Sequence, residues 1–279
     1  MQVIRDLLEL EQYVQAGDSI ALVPTLGNLH EGHMALIKQA RNEARRVLVS
    51  IFVNPLQFGA GEDFERYPRT EKADLMRLEQ SGADAVFLPD VKLLYPVRQT
   101  VMVEPSPVAA DLCGRTRPDH FKGVATVVLK LFNLVRPQVA LFGKKDYQQL
   151  FIIREMVEQL NVPVRIKGVD TVRDSNGLAL SSRNGYLDES DRLAASFLYA
   201  TLQEIIRVVS SRTVVFGDAC EIAAEKMRLK GWKVEYVTIR DANTLQAPTP
   251  SSNFLVVLAA VVIGQTRLID NLEFFLDKD

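Results

Sequence analysis

The chain has 279 residues, 47% of them hydrophobic and 24% charged, with 33 Lys and Arg against 35 Asp and Glu for a formal charge of -2. That composition excludes a largely disordered polymer and supplies a core for one large or two modest domains. The near balance of charge creates no global field for nucleic acid or an anionic membrane, so neither is expected as a partner.

The longest uninterrupted apolar run, 254–263, has ten residues. It falls short of the roughly 18 of a spanning helix and reads as a buried strand. Arg5, Asp6, Glu9 and Glu11 stand where a secretory peptide needs an apolar stretch, so the expected location is the cytoplasm. Cys113 and Cys220 lie far apart with no Cys-x-x-Cys, which predicts two ordinary thiols rather than a disulfide framework or cysteine metal site.

Along the chain, 19–24, 46–53 and 138–142 are short apolar or β-branched runs, each followed by a Gly, Pro or Asn signal and a helix-period segment. The helical segments are 32–44, with Met34, Ile37, Ala40 and Ala44 on one face, and 123–135, apolar nearly all round. A third, 147–160, ends at Asn161 and Pro163 before a strand at 164–169. This rhythm predicts an α/β fold, a mostly parallel sheet covered by helices, with its ligand site at the carboxyl ends of the strands. After about residue 172 the order changes to two long helices, 189–210 and 214–230, then strands at 233–240, 254–263 and 266–274. A loop is expected at 247–252. The expected division is a first domain at 1–171 and a smaller α+β domain at 172–279.

All three histidines fall in two short motifs: His30 and His33 in Thr25-Leu-Gly-Asn-Leu-His-Glu-Gly-His33, and His120 in Arg117-Pro-Asp-His-Phe-Lys-Gly123. The first motif follows a strand and opens a helix, where backbone N–H groups and the helix dipole face an anion; Gly27 and Gly32 allow close approach. Imidazoles three residues apart can both donate to phosphoryl oxygens, a pattern suited to nucleotidyl transfer. The same pair also suits two surface histidines, or half of a metal site.

Phe142-Gly-Lys-Lys-Asp-Tyr-Gln-Gln149 again joins an apolar run to a helix start. Lys144 or Lys145 would neutralise phosphate, and Asp146 would cap the helix or hold a ribose or metal; ordinary capping beside solvated lysines fits the same residues. Ser181, Ser182 and Arg183 offer hydroxyl donors beside a planar cation after the turn Asp174-Ser-Asn-Gly177, as a phosphate clamp or as a helix cap with a surface Arg. Asn54 and Gln57 bring amides to a strand end, where they suit a small polar substrate; Asn54-Pro also makes a turn.

These motifs, with Tyr67-Pro-Arg-Thr70, His120-Phe-Lys-Gly-Val-Ala-Thr126, Leu180-Ser-Ser-Arg-Asn184 and Thr266-Arg-Leu-Ile-Asp-Asn271, run in order through nearly the whole chain. In them the chain resembles the pantothenate synthetase family, ligases that join pantoate to β-alanine using ATP. The resemblance implies a Rossmann-like first domain of the His-x-Gly-His nucleotidyltransferase type, a C-terminal lid, a homodimer, and Mg2+ accompanying ATP. It implies ATP contacts at Leu26, Gly27, Asn28, Leu29, His30, Glu31, Gly32 and His33, at Gly143, Lys144, Lys145 and Asp146, near Val172, and at Leu180, Ser181, Ser182 and Arg183.

His33 matches the proton donor, with His30, Lys145, Ser181, Ser182 and Arg183 at the other phosphate-contacting positions. Gln57 and Gln149 fall where the family binds pantoate; Asn54, Pro24, Tyr67 and Arg117 are further substrate-binding candidates. Leu26 and Leu180 stand where the family commonly has Met, which keeps an apolar wall but alters its packing. Two other readings of the residues are a nucleotidyltransferase that stops after transfer to a phosphate-bearing acceptor and a non-catalytic nucleotide sensor.

Overall fold

The computed structural model describes residues 1–211 and 213–276. Their contacts form two compact units, Met1–Lys144 with Gln148–Asp170, and Lys145–Tyr147 with the described part of Thr171–Asp279.

The first unit is a six-stranded parallel sheet in the order β1-β4-β3-β2-β5-β6. The strands are β1 (Gln2–Ile4), β2 (Ile20–Thr25), β3 (Arg46–Ile51), β4 (Ala85–Phe87), β5 (Val139–Gly143) and β6 (Arg165–Val169). Central strands covered on both faces need apolar residues at every position, which is why these runs show no polar alternation.

Successive side chains of each strand enter opposite cores. Ile20, Leu22, Leu48, Phe87 and Ala140 pack with α1 (Leu7–Gln15), α6 (His120–Val135) and α7 (Tyr147–Gln159). Ala21, Val23, Val47, Val49 and Leu141 pack with α2 (Glu31–Ala40) and α3 (Glu71–Ser81). Short helices α4 (Val91–Leu94) and α5 (Cys113–Thr116) lie in the long connection before α6.

The sheet changes direction of growth between β2 and β5, and a proline opens it there. Gln138 N–H donates to Ile20 O, so the even-numbered residues of β2 turn their backbone groups toward β5. Pro24 shares that parity and has no N–H to offer. Pairing between β2 and β5 is confined to Ala21–Val139 and Leu22–Ala140, whereas β2 stays paired with β3 through Thr25. The result is a crevice at the carboxyl ends of the two central strands, the expected ligand position in such a sheet.

The second unit is an antiparallel sheet of β7 (Lys233–Asp241), β8 (Phe254–Ile263) and β9 (Thr266–Phe275), with α8 (Glu189–Ser210) and α9 (Phe216–Arg228). By length and composition α8 would suffice to cross a membrane. Here its Ala195, Leu198, Leu202, Ile205 and Val209 join a core with Leu255, Val257 and Val261 of β8.

The expected strands are found, the run 254–263 among them with the same limits as β8. Absent from the sequence reading are β1, α1, α3, β4, α4 and α5.

Candidate active site

The loop after β2 is built for close approach. Gly27 and Asn28 adopt left-handed φ of 83° and 50°. A Cβ on Gly27 would lie 3.0 Å from Ile51 Cγ2 and 3.2 Å from Asp74 Oδ2, on top of a φ that only glycine adopts freely. The buried Asp74 of α3 holds the loop: Oδ2 accepts from Asn28 N at 3.0 Å and Oδ1 from Leu29 N at 2.8 Å. Thr70 Oγ1 donates to the same carboxylate at 3.1 Å. Asp74 lies far from the histidine motif in the chain, and the only sequence signal for it was the neighbouring Tyr67-Pro-Arg-Thr70 segment.

At the start of α2 the two imidazoles form a reciprocal cap. His30 Nδ1 accepts from Gly32 N at 3.1 Å, and His33 Nδ1 accepts from His30 N at 3.2 Å. This is the capping-box geometry with histidines in place of Ser and Glu. A ring nitrogen that accepts carries no proton, so each neutral imidazole holds its hydrogen on Nε2. The rings lie 4.1 Å apart by centroid. The chain thus fixes two Nε2–H donors at the positive end of a helix dipole beside the crevice. Gly32 keeps room for them, since its Cβ would lie 2.9 Å from His30 Cε1. Glu31 points outward to an ion pair with Arg77 at 3.0 Å. Leu26 and Pro24 are half-buried at the end of β2.

Beyond β3, Pro55–Gln57 forms a 3₁₀ turn. Asn54 is 0% exposed. Its Oδ1 accepts from Leu56 N and from Tyr95 Oη at 2.8 Å, and its Nδ2 donates to Gly123 O at 3.1 Å and Gln57 Oε1 at 3.2 Å. All four of its hydrogen-bonding positions are used inside the protein, so Asn54 orients Gln57 rather than reaching a ligand. With Gln57 Oε1 taken, its Nε2 group is the face left for an oxygen-rich ligand. Gly123 of α6 packs directly on this turn.

Arg117 is engaged similarly. Its guanidinium donates to Glu62 Oε1 at 2.8 Å and Oε2 at 2.6 Å, and to His120 Nε2 at 3.0 Å. His120 Nδ1–H donates to Gln57 O at 2.7 Å, which leaves Nε2 as the acceptor. Burial works against the Glu62 carboxylate, but Arg117 outweighs it and holds the group below the ordinary carboxylate range. Tyr67 is buried edge-on to Phe58, 5.9 Å between centroids.

After β5, which ends at Gly143, Lys144 Nζ pairs with Asp170 at 2.9 Å. Of the two glutamines that follow, Gln148 is buried and committed to the 108–113 loop: Oε1 accepts from Cys113 N, and Nε2 donates to Val108 O and Asp111 O, both at 2.8 Å. Gln149 is half-buried.

The second unit gathers another set. Val172 O accepts from Leu180 N at 2.9 Å, closing a hairpin whose turn is organised by Asp174 Oδ1, which accepts from Asn176 N and Leu178 N. Ser181 caps the short turn Ser182–Tyr186, its Oγ accepting from Arg183 N at 3.2 Å, so its O–H proton is left to donate elsewhere. Desolvation lowers the pKa of the half-buried Lys145 ammonium; Asp146 and Asp270 oppose this, while Arg183 and Arg173 reinforce it. Asp146 itself is exposed. Lys145 and Arg183 therefore share one electrostatic neighbourhood, as His30 and His33 share another. Among the described residues no three of His, Cys, Asp and Glu come together as a metal site.

Known proteins resemble the chain over nearly its whole length. A family model described as pantoate-beta-alanine ligase matches residues 2–273. A pantothenate synthetase of Thiobacillus denitrificans is 53% identical over 274 residues, 98% of this chain and 97% of the relative. The crystal structure of pantothenate synthetase from Thermus thermophilus superposes with a TM-score of 0.92 at 41% identity, covering 98% of this chain and 99% of that one. A pantoate-beta-alanine ligase from Francisella tularensis, complexed with beta-gamma ATP and beta-alanine, gives a TM-score of 0.83 at 33% identity over 100% of this chain and 99% of that one. The chain belongs to the pantoate-beta-alanine ligase family.

Proposed function

We propose that the chain condenses pantoate with β-alanine at the expense of ATP, giving pantothenate, AMP and pyrophosphate through an enzyme-bound pantoyl-adenylate. The observation that carries this reading is the pair of Nε2–H donors fixed at the start of α2, beside a crevice that Pro24 keeps open.

A carboxylate is a poor acyl donor because its leaving group would be oxide. With a pKa near ~4 it is ionised at neutral pH and attacks the α-phosphorus of ATP without a base. The new P–O bond forms as the bond to the β-phosphate oxygen breaks, and pyrophosphate leaves. His30 and His33 donate to triphosphate oxygens, while Lys145, Ser181, Ser182 and Arg183 compensate the departing charge. The neutral amine of β-alanine then attacks the mixed-anhydride carbonyl; the amide bond forms, AMP departs, and the ammonium proton passes to solvent. Gln57, oriented by Asn54, and Gln149 read the oxygens of pantoate.

Mg2+ held with the nucleotide would supply further neutralisation of phosphate charge, in addition to that from Lys145 and Arg183. The same reading makes the smaller domain, 172–279, a lid over the catalytic domain, 1–171, in a cytoplasmic homodimer with neither nucleic acid nor membrane as a partner.

Isotope exchange between pyrophosphate and ATP tests the function. Exchange is expected with pantoate and without β-alanine. Exchange that ignores pantoate would point to a nucleotidyltransferase of other specificity, and its complete absence to a sensor. Gln149→Ala is expected to raise the Michaelis constant for pantoate on the order of tenfold while that for ATP hardly moves, because only one substrate loses a hydrogen bond. Equal effects on both constants would remove Gln149 from the pantoate site.

A further inference from the structure

We propose that Asp270 and Asn271 of β9 are positioning residues for Lys145, and that this is what the segment Thr266-Arg-Leu-Ile-Asp-Asn271 does in the reaction. The proposal rests on the reading of Lys145 as a phosphate-contacting residue.

Asn271 Nδ2 donates to Lys145 O at 2.9 Å, and two residues along the same strand face Glu273 Oε1 accepts from Tyr147 Oη at 2.9 Å. Strand β9 thus grips the segment Lys145–Tyr147 at both ends, and Lys145 is fixed through its backbone rather than through its side chain. The short turn bearing Ser182 and Arg183 packs against the same strand.

Asp270, 3% exposed, accepts from Arg173 at 2.6 and 2.8 Å, and Arg173 lies over the Tyr199 ring at 3.9 Å. Three cations, Lys145, Arg173 and Arg183, would repel one another if left alone. Pairing Arg173 with a buried carboxylate cancels its charge beside Lys145 and Arg183. The charged groups acting on Lys145 are Asp146 from its own segment, Asp270 from β9, Arg173 from the hairpin and Arg183 from the turn.

A double-mutant cycle read by pantoate-dependent pyrophosphate exchange tests the first part. Asn271→Ala is expected to slow exchange on the order of 10- to 100-fold with little change in the Michaelis constant for pantoate, the cost of a misplaced group. Asn271→Ser, which retains a donor, should recover part of the rate. In a Lys145→Ala background Asn271→Ala should cost nothing more. Losses that multiply would overturn the positioning role, whereas normal exchange by Lys145→Ala alone would remove the reading of Lys145 on which it depends.

The pH profile tests Asp270. Lys145 must be protonated to meet phosphate, so activity falls as pH rises through its folded pKa, and an anion that raises this pKa holds the alkaline limb up. Asp270→Asn should move that limb to lower pH, and Asp270→Glu should leave it in place. An unmoved limb in Asp270→Asn would overturn the electrostatic part, and thermal unfolding of each variant separates these effects from loss of fold.

Discussion

His33→Asn is expected to fold like the parent chain and yet form pantoyl-adenylate on the order of 10² to 10³ times more slowly. The two nitrogens of the ring do separate jobs. Nδ1 accepts the His30 backbone N–H and so belongs to the helix cap, while Nε2 carries the hydrogen that a phosphoryl oxygen would meet. An Asn side chain places its oxygen near the Nδ1 position and keeps the cap, but it has nothing at the Nε2 position. A Gln side chain reaches the Nε2 position and gives up the cap. His33→Gln should therefore retain more activity than His33→Asn while losing some stability, and His33→Ala should lose both, with about 0.5–2 kcal/mol from the cap. Single-turnover formation of the adenylate beside denaturant unfolding of the three variants separates the roles. If all three lose rate and stability in parallel, the division of labour between the nitrogens is wrong.

Gly123→Ala is expected to destabilise the first unit by roughly 1–3 kcal/mol and to raise the Michaelis constant for pantoate. A Cβ at this position would sit 2.1 Å from Leu56 O, 2.4 Å from Leu56 C and 2.7 Å from Gln57 N. These are backbone atoms that no rotamer change can move, so either α6 or the turn carrying Gln57 must retreat. The Asn54 hydrogen bonds to Gly123 O and Gln57 Oε1 would be stretched in the same step. Gly217, at the start of α9, is a suitable stability control, because a Cβ there meets nothing within 4 Å and alanine favours the helix. A Gly123→Ala protein with an unchanged denaturant midpoint and unchanged pantoate saturation would contradict this packing.

The elements legible in the sequence were those that announce themselves locally. Long apolar runs marked β2, β3, β5 and β8, and the Gly-rich junctions after β2 and β5 marked where their ends lie. The strands β1 and β4 have three residues each, too few for any periodicity, and they exist because they pair with each other and β4 with β3. The histidine pair was legible because strand, glycine and helix start adjoin in the chain.

What supports the pair was not. Asp74 meets the loop from a charged helix 45 residues away, and nothing local distinguishes it from the surface carboxylates beside it. Arg117 and Asn54 offered the right chemistry for a ligand, but tertiary partners, Glu62 and His120 for one, and Tyr95, Leu56 and Gly123 for the other, occupy their hydrogen-bonding groups. Lys144 and Lys145 look alike in sequence; one is tied to Asp170, and the other is anchored through its carbonyl by Asn271.

A proline in a central strand is a defect for most sheets, but at Pro24 it acts as a permanent spacer. Separating two neighbouring strands ordinarily sacrifices donors and acceptors that would rather zip together, and such a gap tends to close when vacant. Here the donor was never present, so that rung of the ladder is absent by covalent constitution whether or not a ligand is bound. A reactant approaching this gap finds one rung of the ladder already missing, with only the Pro24 carbonyl left to accept across it.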